Sequence, residues 1–255
     1  MIQTINELIK KNGTPFYMFD EEGFVNNYRK LESTFKAVYP NYQISYSYKT
    51  NYTPFVCKLV KSLGGYAEVV SDMEYTLAKK LGYANSQIVY NGPSKGEEMY
   101  EHLENHGILN LDSLDEAKRV VDYCKAHVDK QYTVGMRINM DLGAANFISR
   151  FGLEPDSKDM LEVVKLIKDT PNLKLIGLHC HISRCRGVDA WAERAKIMLD
   201  MADKYIDDVP QYISLGSGMF ADMADYLRNQ FGGDSVPTYE DYCKATIQPF
   251  AEHYK

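Results

Sequence analysis

Runs of lysine or arginine are absent from this sequence, and its net charge is −6. Nucleic-acid grooves and anionic membrane surfaces select proteins with concentrated positive charge. Neither is the expected partner; a small molecule is. The cysteines Cys57, Cys124, Cys180, Cys185 and Cys243 are few, odd in number and scattered. That pattern excludes a disulfide framework and suits a reducing cytosol. The amino terminus from Met1 to Leu8 lacks the basic start and apolar stretch of a secretory leader, and no window approaches the length of a membrane span. A cytoplasmic protein is the expectation. No Gly-x-Gly-x-x-Gly follows an early strand, so a dinucleotide fold has little support. There is also no low-complexity linker and no sequence repeat.

What the sequence has is alternation. After a helix at 3–11 and the turn Asn12-Gly13-Thr14-Pro15, Phe16–Phe19 reads as a strand, and a helix runs from Asp20 to about Tyr39. Strands then follow at 43–49, 66–70, 87–91, 107–111, 132–138, 174–181 and 211–215. Helices separate them at 54–63, 72–81, 95–105, 114–126, 157–168 and 189–204, with a last helix at 239–253. Short strands alternating with helices mean a parallel sheet covered by helices. With 255 residues, 45% of them hydrophobic, the chain can bury a sizeable core. Several strands are polar on one face only: Asn110 and Asp112 oppose Leu109 and Leu111, and Arg137 and Asn139 oppose Val134, Met136 and Ile138. Doubly wound strands tend to be apolar on both faces. The expected fold is therefore a (β/α)₈ TIM-type barrel with its eighth strand outside these residues, since seven strands are counted from Gln43.

In the first of these strands Ile44, Tyr46 and Tyr48 share one face, and Ser45, Ser47 and Lys49 the other. Lys49 thus ends a strand at the carboxyl mouth, where barrel enzymes keep their chemistry. A lysine buried there has a lowered pKa and can form a Schiff base; the plain alternative is a snorkelling surface lysine. His179 and His181 share the polar face of the strand 174–181. They suit a ring to stack on, a metal, or two hydrogen-bonded core histidines. A metal would need further ligands, and His102, His106, His127 and His253 all fall in or at the ends of helices. The turn Leu215-Gly216-Ser217-Gly218 follows the seventh strand, in the usual position of a phosphate cradle. Glu68 and Arg137 lie on polar strand faces, where a buried acid is expected to seek a buried base.

A strand-end lysine, a strand-end histidine and a phosphate-binding turn are what pyridoxal 5′-phosphate requires of a barrel. Seven segments, in order, also resemble the diaminopimelate/ornithine decarboxylase family, whose barrel is alanine-racemase-like. They are Tyr48-Lys49-Thr50-Asn51, Ala67–Ser71 with Glu74, Asn110–Ser113, Met136–Asn139, Ser149–Gly152, Gly177–Ile182 and Leu215–Gly218.

The resemblance implies a pyridoxal-phosphate-dependent decarboxylase of an amino acid. Lys49 would form the Schiff base, His181 would stack on the cofactor, Ser183 with Gly216, Ser217 and Gly218 would hold its phosphate, and Glu68 with Arg137 would support the lysine. It places residues 1–22 with a β-domain and 23–255 in the barrel, and it implies a homodimer at full length. An amino-acid racemase and a non-catalytic single-barrel cofactor carrier are the alternatives. Two local departures stand out. His181-Ile182-Ser183-Arg184 replaces the usual His-Ile-Gly-Ser, which raises the question of whether Arg184 takes over a phosphate contact, and Ser217 interrupts a triple glycine. The family's Glu-Pro-Gly-Arg segment and C-terminal β-domain do not occur in these residues, so the 255 residues alone are expected to be inactive.

Overall fold

A computed structural model describes residues 2–142, 149–183, 185–220, 226, 229 and 236–254. Seven strands run in the order of the chain: β1 (Ser45–Ser47), β2 (Tyr66–Val69), β3 (Ile88–Tyr90), β4 (Ile108–Leu111), β5 (Tyr132–Ile138), β6 (Leu173–His181) and β7 (Tyr212–Gly216). Every neighbouring pair is parallel. All seven carboxyl ends therefore open on one side, and the polar strand faces line one interior.

Helices α1 (Ile2–Asn12) and α2 (Glu21–Lys36) precede the sheet. The connections hold α3 (Pro54–Ser62), α4 (Asp72–Lys80), α5 (Glu98–Glu104), α6 (Leu114–Ala126), α7 (Lys158–Lys168) and α8 (Val188–Tyr205). Their starts are written locally. The side chains of Asp20, Ser71, Ser113 and Ser157 accept from the backbone three residues on, each worth about 0.5–2 kcal/mol. Pro54 occupies the first turn of α3, where its lack of an N–H is harmless.

Tyr212 shows that the sheet curls. Its hydroxyl on β7 donates to Asn110 Oδ1 on β4 at 2.7 Å, although three strand spacings of a flat sheet would separate them by about 14 Å. Gly135 and Gly177 make the room: a Cβ on them would lie 2.0 Å from the Tyr212 hydroxyl and 2.4 Å from Tyr212 Cε1. The architecture is a curled seven-stranded part of a TIM-type barrel. Among the described residues no strand pairs with the outer edges of β1 and β7, and every residue of both is only partly buried.

The outer layer spans that interval. Helix Tyr239–Ala245 packs Tyr242 and Cys243 against Leu31 and Phe35 of α2 and Trp191 of α8. Two expectations fail nearby. The helix 239–253 is two helices, Tyr239–Ala245 and Ile247–His253, broken at Thr246, whose backbone departs from helical values (φ −120°, ψ −69°). Phe16–Phe19 forms no strand. Tyr17 and Met18 are exposed, and Phe19 makes ring contacts with Phe24 and Phe55, at 5.4 and 5.6 Å between centroids.

Lys95, in the loop after β3, and Glu116, in the first turn of α6, form a buried charge pair. Lys95 Nζ lies 2.9 Å from each carboxylate oxygen of Glu116 and donates to the Gly92 carbonyl at 2.7 Å. Glu116 also accepts the Asp112 N–H at 2.7 Å. Burial pulls the Lys95 ammonium below its ordinary pKa, against the pull of Glu116. Removing one partner strands a charge, so Lys95→Met is expected to cost about 3–5 kcal/mol in urea unfolding. Lys95→Met with Glu116→Gln should recover most of the loss; no recovery would show that the pair is not what holds this region.

Candidate active site

The sequence-derived residues converge on the carboxyl mouth of the sheet, with one change of environment. Lys49 stands in the turn 48–50 just past β1 and is exposed, not buried. The strand pairing continues only as far as the bond from Tyr48 N–H to the Glu68 carbonyl. Tyr48, fully buried, takes the space against the helices, towards Cys57 and Tyr83. Lys49 nevertheless reaches the site electrostatically. Its ammonium opposes the rise of the Glu74 carboxyl, which burial pushes above its ordinary pKa, and it helps lower both His179 and His181. Glu74 is fixed by its own bond from the Val70 N–H at 2.8 Å.

The two histidines differ. His179 is buried, bonded through Nδ1 to the Ser214 hydroxyl at 2.9 Å, and held well below its ordinary pKa first by burial and then by the Arg137 charge. His181 is half-buried at the end of β6, its pKa brought down to about 4 first by burial and then by Lys49. A neutral ring facing the mouth is suited to lie against a flat group. Among the described residues no cluster of three His, Cys, Asp or Glu side chains surrounds either.

Gly216 pairs with His181 across the sheet. A Cβ there would lie 2.9 Å from the Cys180 carbonyl and 3.3 Å from His181 Cβ, so only glycine lets β7 run so close to the histidine strand. Ser217 donates its hydroxyl to the Ile182 carbonyl at 2.8 Å, which ties the turn after β7 to the loop after β6. Ser183 is half-buried in that loop and makes no hydrogen bond among the described residues; Arg184 lies outside them.

Glu68 and Arg137 are both buried but are not partners. Arg137 pairs with Asp112, Nη1 to Oδ2 at 2.8 Å, while the other Asp112 oxygen accepts the Gly152 N–H at 3.0 Å. The Phe151 ring lies 5.3 Å from the guanidinium. Gly152 has φ +85°, and a Cβ there would press to 3.0 Å on Arg137 Cγ, so Ser149–Gly152 is shaped to cover the arginine. Glu68 instead accepts from Asn91 Nδ2 at 3.2 Å, Asn91 accepts from Asn110 at 2.8 Å, and Asn110 accepts from Tyr212. Sequence reasoning missed Asn91, Tyr212 and Asp112 as partners. The signal for Tyr212 was in plain view, because Gly135 and Gly177 sit inside strands, where glycine marks a close approach.

Among the described residues, the buried polar atoms of this region without a hydrogen bond include Ser45 Oγ, Ser47 Oγ, Arg137 Nε and Asn139 Oδ1. With a primary amine, a neutral imidazole and a glycine turn at one mouth, these orphaned groups fit a flat, polar, anionic ligand.

Comparison with known proteins agrees with that chemistry. Residues 25–231 match the family model for the pyridoxal-dependent decarboxylase, pyridoxal binding domain. The diaminopimelate decarboxylase of Methanocaldococcus jannaschii is 25% identical over 97% of the chain, which spans 58% of that relative. The Bacteroides thetaiotaomicron enzyme of the same name is 29% identical over 90% of the chain and 60% of its own length. The chain thus spans somewhat more than half the length of these relatives. The M. jannaschii crystal structure superposes with a TM-score of 0.82 at 25% identity, covering 98% of this chain and 59% of the other. A lysine/ornithine decarboxylase from Vibrio vulnificus, solved with cadaverine, shares the fold alone, with a TM-score of 0.73 at 17% identity.

The lowered imidazoles set an acid limit. His181 and His102 both stand at about 4 in the folded protein, against the ordinary 6.5. Between those values the unfolded chain binds the extra protons, so stability falls as pH drops from about 6.5 to about 4 and changes little from this cause above that window. His181→Gln should flatten the melting-temperature profile there, by somewhat less than about 1.4 kcal/mol per pH unit because the ring is partly exposed. An unchanged slope would mean that His181 is not held neutral.

Proposed function

The chain belongs to the pyridoxal-dependent decarboxylases, through their pyridoxal-binding domain, and on that premise we propose that it is the cofactor-holding barrel of an enzyme removing the α-carboxylate of an amino acid. The observation that carries this reading is the shared mouth: Lys49 follows β1, His181 ends β6 in register with Gly216 of β7, and Ser217 ties the glycine turn to the loop after β6. Diaminopimelate or a similar diamino acid is the substrate class supported by the names of the relatives. A homodimer at full length and a second domain that includes residues 1–22 belong to the same proposal.

Pyridoxal phosphate, when bound, supplies the conjugated ring that accepts the electron pair left as CO₂ departs. The chain supplies position and charge. Lys49 would hold the cofactor through its amine, which stands just past the carboxyl end of β1. His181, neutral at physiological pH, lies flat-ring available at the end of β6. Gly216, Ser217 and Gly218 with Ser183 would hold the phosphate, and Ser217 keeps the two loops in register through the Ile182 carbonyl. Arg137, fixed by its ion pair with Asp112, and Glu68, fixed by Asn91, would support the surroundings of the amine from β5 and β2. Groups fixed in that way cost no reorganisation during reaction.

Borohydride reduction of protein incubated with pyridoxal phosphate, followed by peptide mapping, should label Lys49; a label on another lysine, or none on protein carrying the complete fold, would refute its assignment. His181→Ala should weaken cofactor retention by roughly tenfold or more while leaving the melting temperature near that of the parent. His179→Ala should instead lower the melting temperature, because it empties a buried site and unpairs Ser214. Equal effects of the two substitutions on retention would count against His181 as the stacking residue.

A further inference from the structure

A pyridoxal phosphate monoester carries close to two negative charges, and the turn 216–218 contains no cation. The surrounding cations are mostly committed. Arg137 is paired with Asp112 and Lys95 with Glu116, while Arg194 is fully buried 4.4 Å over the Trp191 ring, with Nη2 bonded to the Cys185 carbonyl and Nε and Nη1 unbonded inside the protein. Arg150 lies over Phe151, beside β5. Arg186 is different. It is exposed, it belongs to the loop after β6, and its guanidinium has no hydrogen bond or ion pair among the described residues. That guanidinium covers the turn itself: a Cβ on Gly218 would lie 3.3 Å from Arg186 Nε and 3.5 Å from Cζ.

The backbone under this contact is held from both sides by one phenol. Tyr242 donates to the Arg186 carbonyl at 2.6 Å and accepts the Phe220 N–H at 3.0 Å. Ser217 adds the bond to Ile182 at 2.8 Å. The arginine and the glycine turn are therefore prearranged relative to each other before any ligand arrives, which reduces the ordering that binding must impose.

Resting on the cofactor reading above, we propose that Arg186 is the phosphate-binding cation of this site, acting with the turn Gly216–Gly218. A guanidinium presents paired N–H donors matched to phosphate oxygens and keeps its charge throughout the accessible pH range.

The test compares the parent protein with Arg186→Ala and Arg186→Lys, titrated by absorbance with pyridoxal phosphate and with pyridoxal, which lacks the phosphate. Arg186→Ala should weaken pyridoxal phosphate on the order of tenfold to hundredfold and leave pyridoxal unchanged; Arg186→Lys should lie between. Unchanged phosphate-ester affinity, or equal weakening of both ligands, overturns the assignment. Inorganic phosphate gives an arm independent of the ring and of Lys49. It should raise the melting temperature of the parent and not of Arg186→Ala. Should pyridoxal phosphate fail to bind the parent, the cofactor reading falls, and this shift alone decides Arg186: lost in the variant it supports the anion site, and equal or absent in both it refutes it.

Discussion

The guanidinium of Arg137 is the constraint around which the mouth is arranged. It is taken out of water, and an arginine there must find a counter-charge or cost several kcal/mol. Asp112 provides that charge at 2.8 Å from the end of β4. To do so its backbone is pinned by Glu116, which in turn fixes Lys95 in the loop after β3. The second oxygen of Asp112 reaches across to Gly152 and draws Ser149–Leu153 alongside β5. One buried cation thus sets the conformation of three loops, and no hydrophobic residue at that position could do the same.

Much of this was legible because strand alternation has a period of two and the chain keeps to it. Ser47, Glu68, Asn110, Arg137 and His179 all appear on the polar faces assigned from sequence, and the strand and helix order follows the reading almost throughout. Pairing was less legible than facing. Glu68 and Arg137 looked like natural partners as opposite charges on one interior, but Asp112 is nearer to Arg137 and Asn91 to Glu68. Which strand end meets which depends on curl and stagger, and these do not appear in local sequence. Lys49 illustrates a different limit. It was expected to end the strand, but β1 ends at Ser47, and the turn that follows leaves Lys49 exposed. Phe16–Phe19 misled because a short apolar run reads as a strand whether or not it pairs, and here Tyr17 and Met18 are exposed.

The charge inventory of the mouth also explains why its two histidines behave differently although they are two residues apart. His179 is enclosed and spends its hydrogen-bonding capacity on Ser214, inside the wall. His181 sits one layer nearer the opening and is only half-buried. Burial first, and then the shared charges of Arg137 and Lys49, hold both rings below their ordinary pKa. Position along one strand therefore separates a structural imidazole from an available one without any difference in residue type.

The packing of helix Tyr239–Ala245 between α2 and α8 has a consequence for how the molecule comes apart. An open sheet ordinarily loosens from its two margins separately, since each margin has neighbours on one side only. Here the helix before β1 and the helix after β6 grip a common third, through Phe35, Trp191 and Tyr242. Loosening at either margin must break the same aromatic cluster. The first and last strands are thus coupled to one opening event despite having no hydrogen bond between them, and their backbone amides should exchange with solvent at a shared rate.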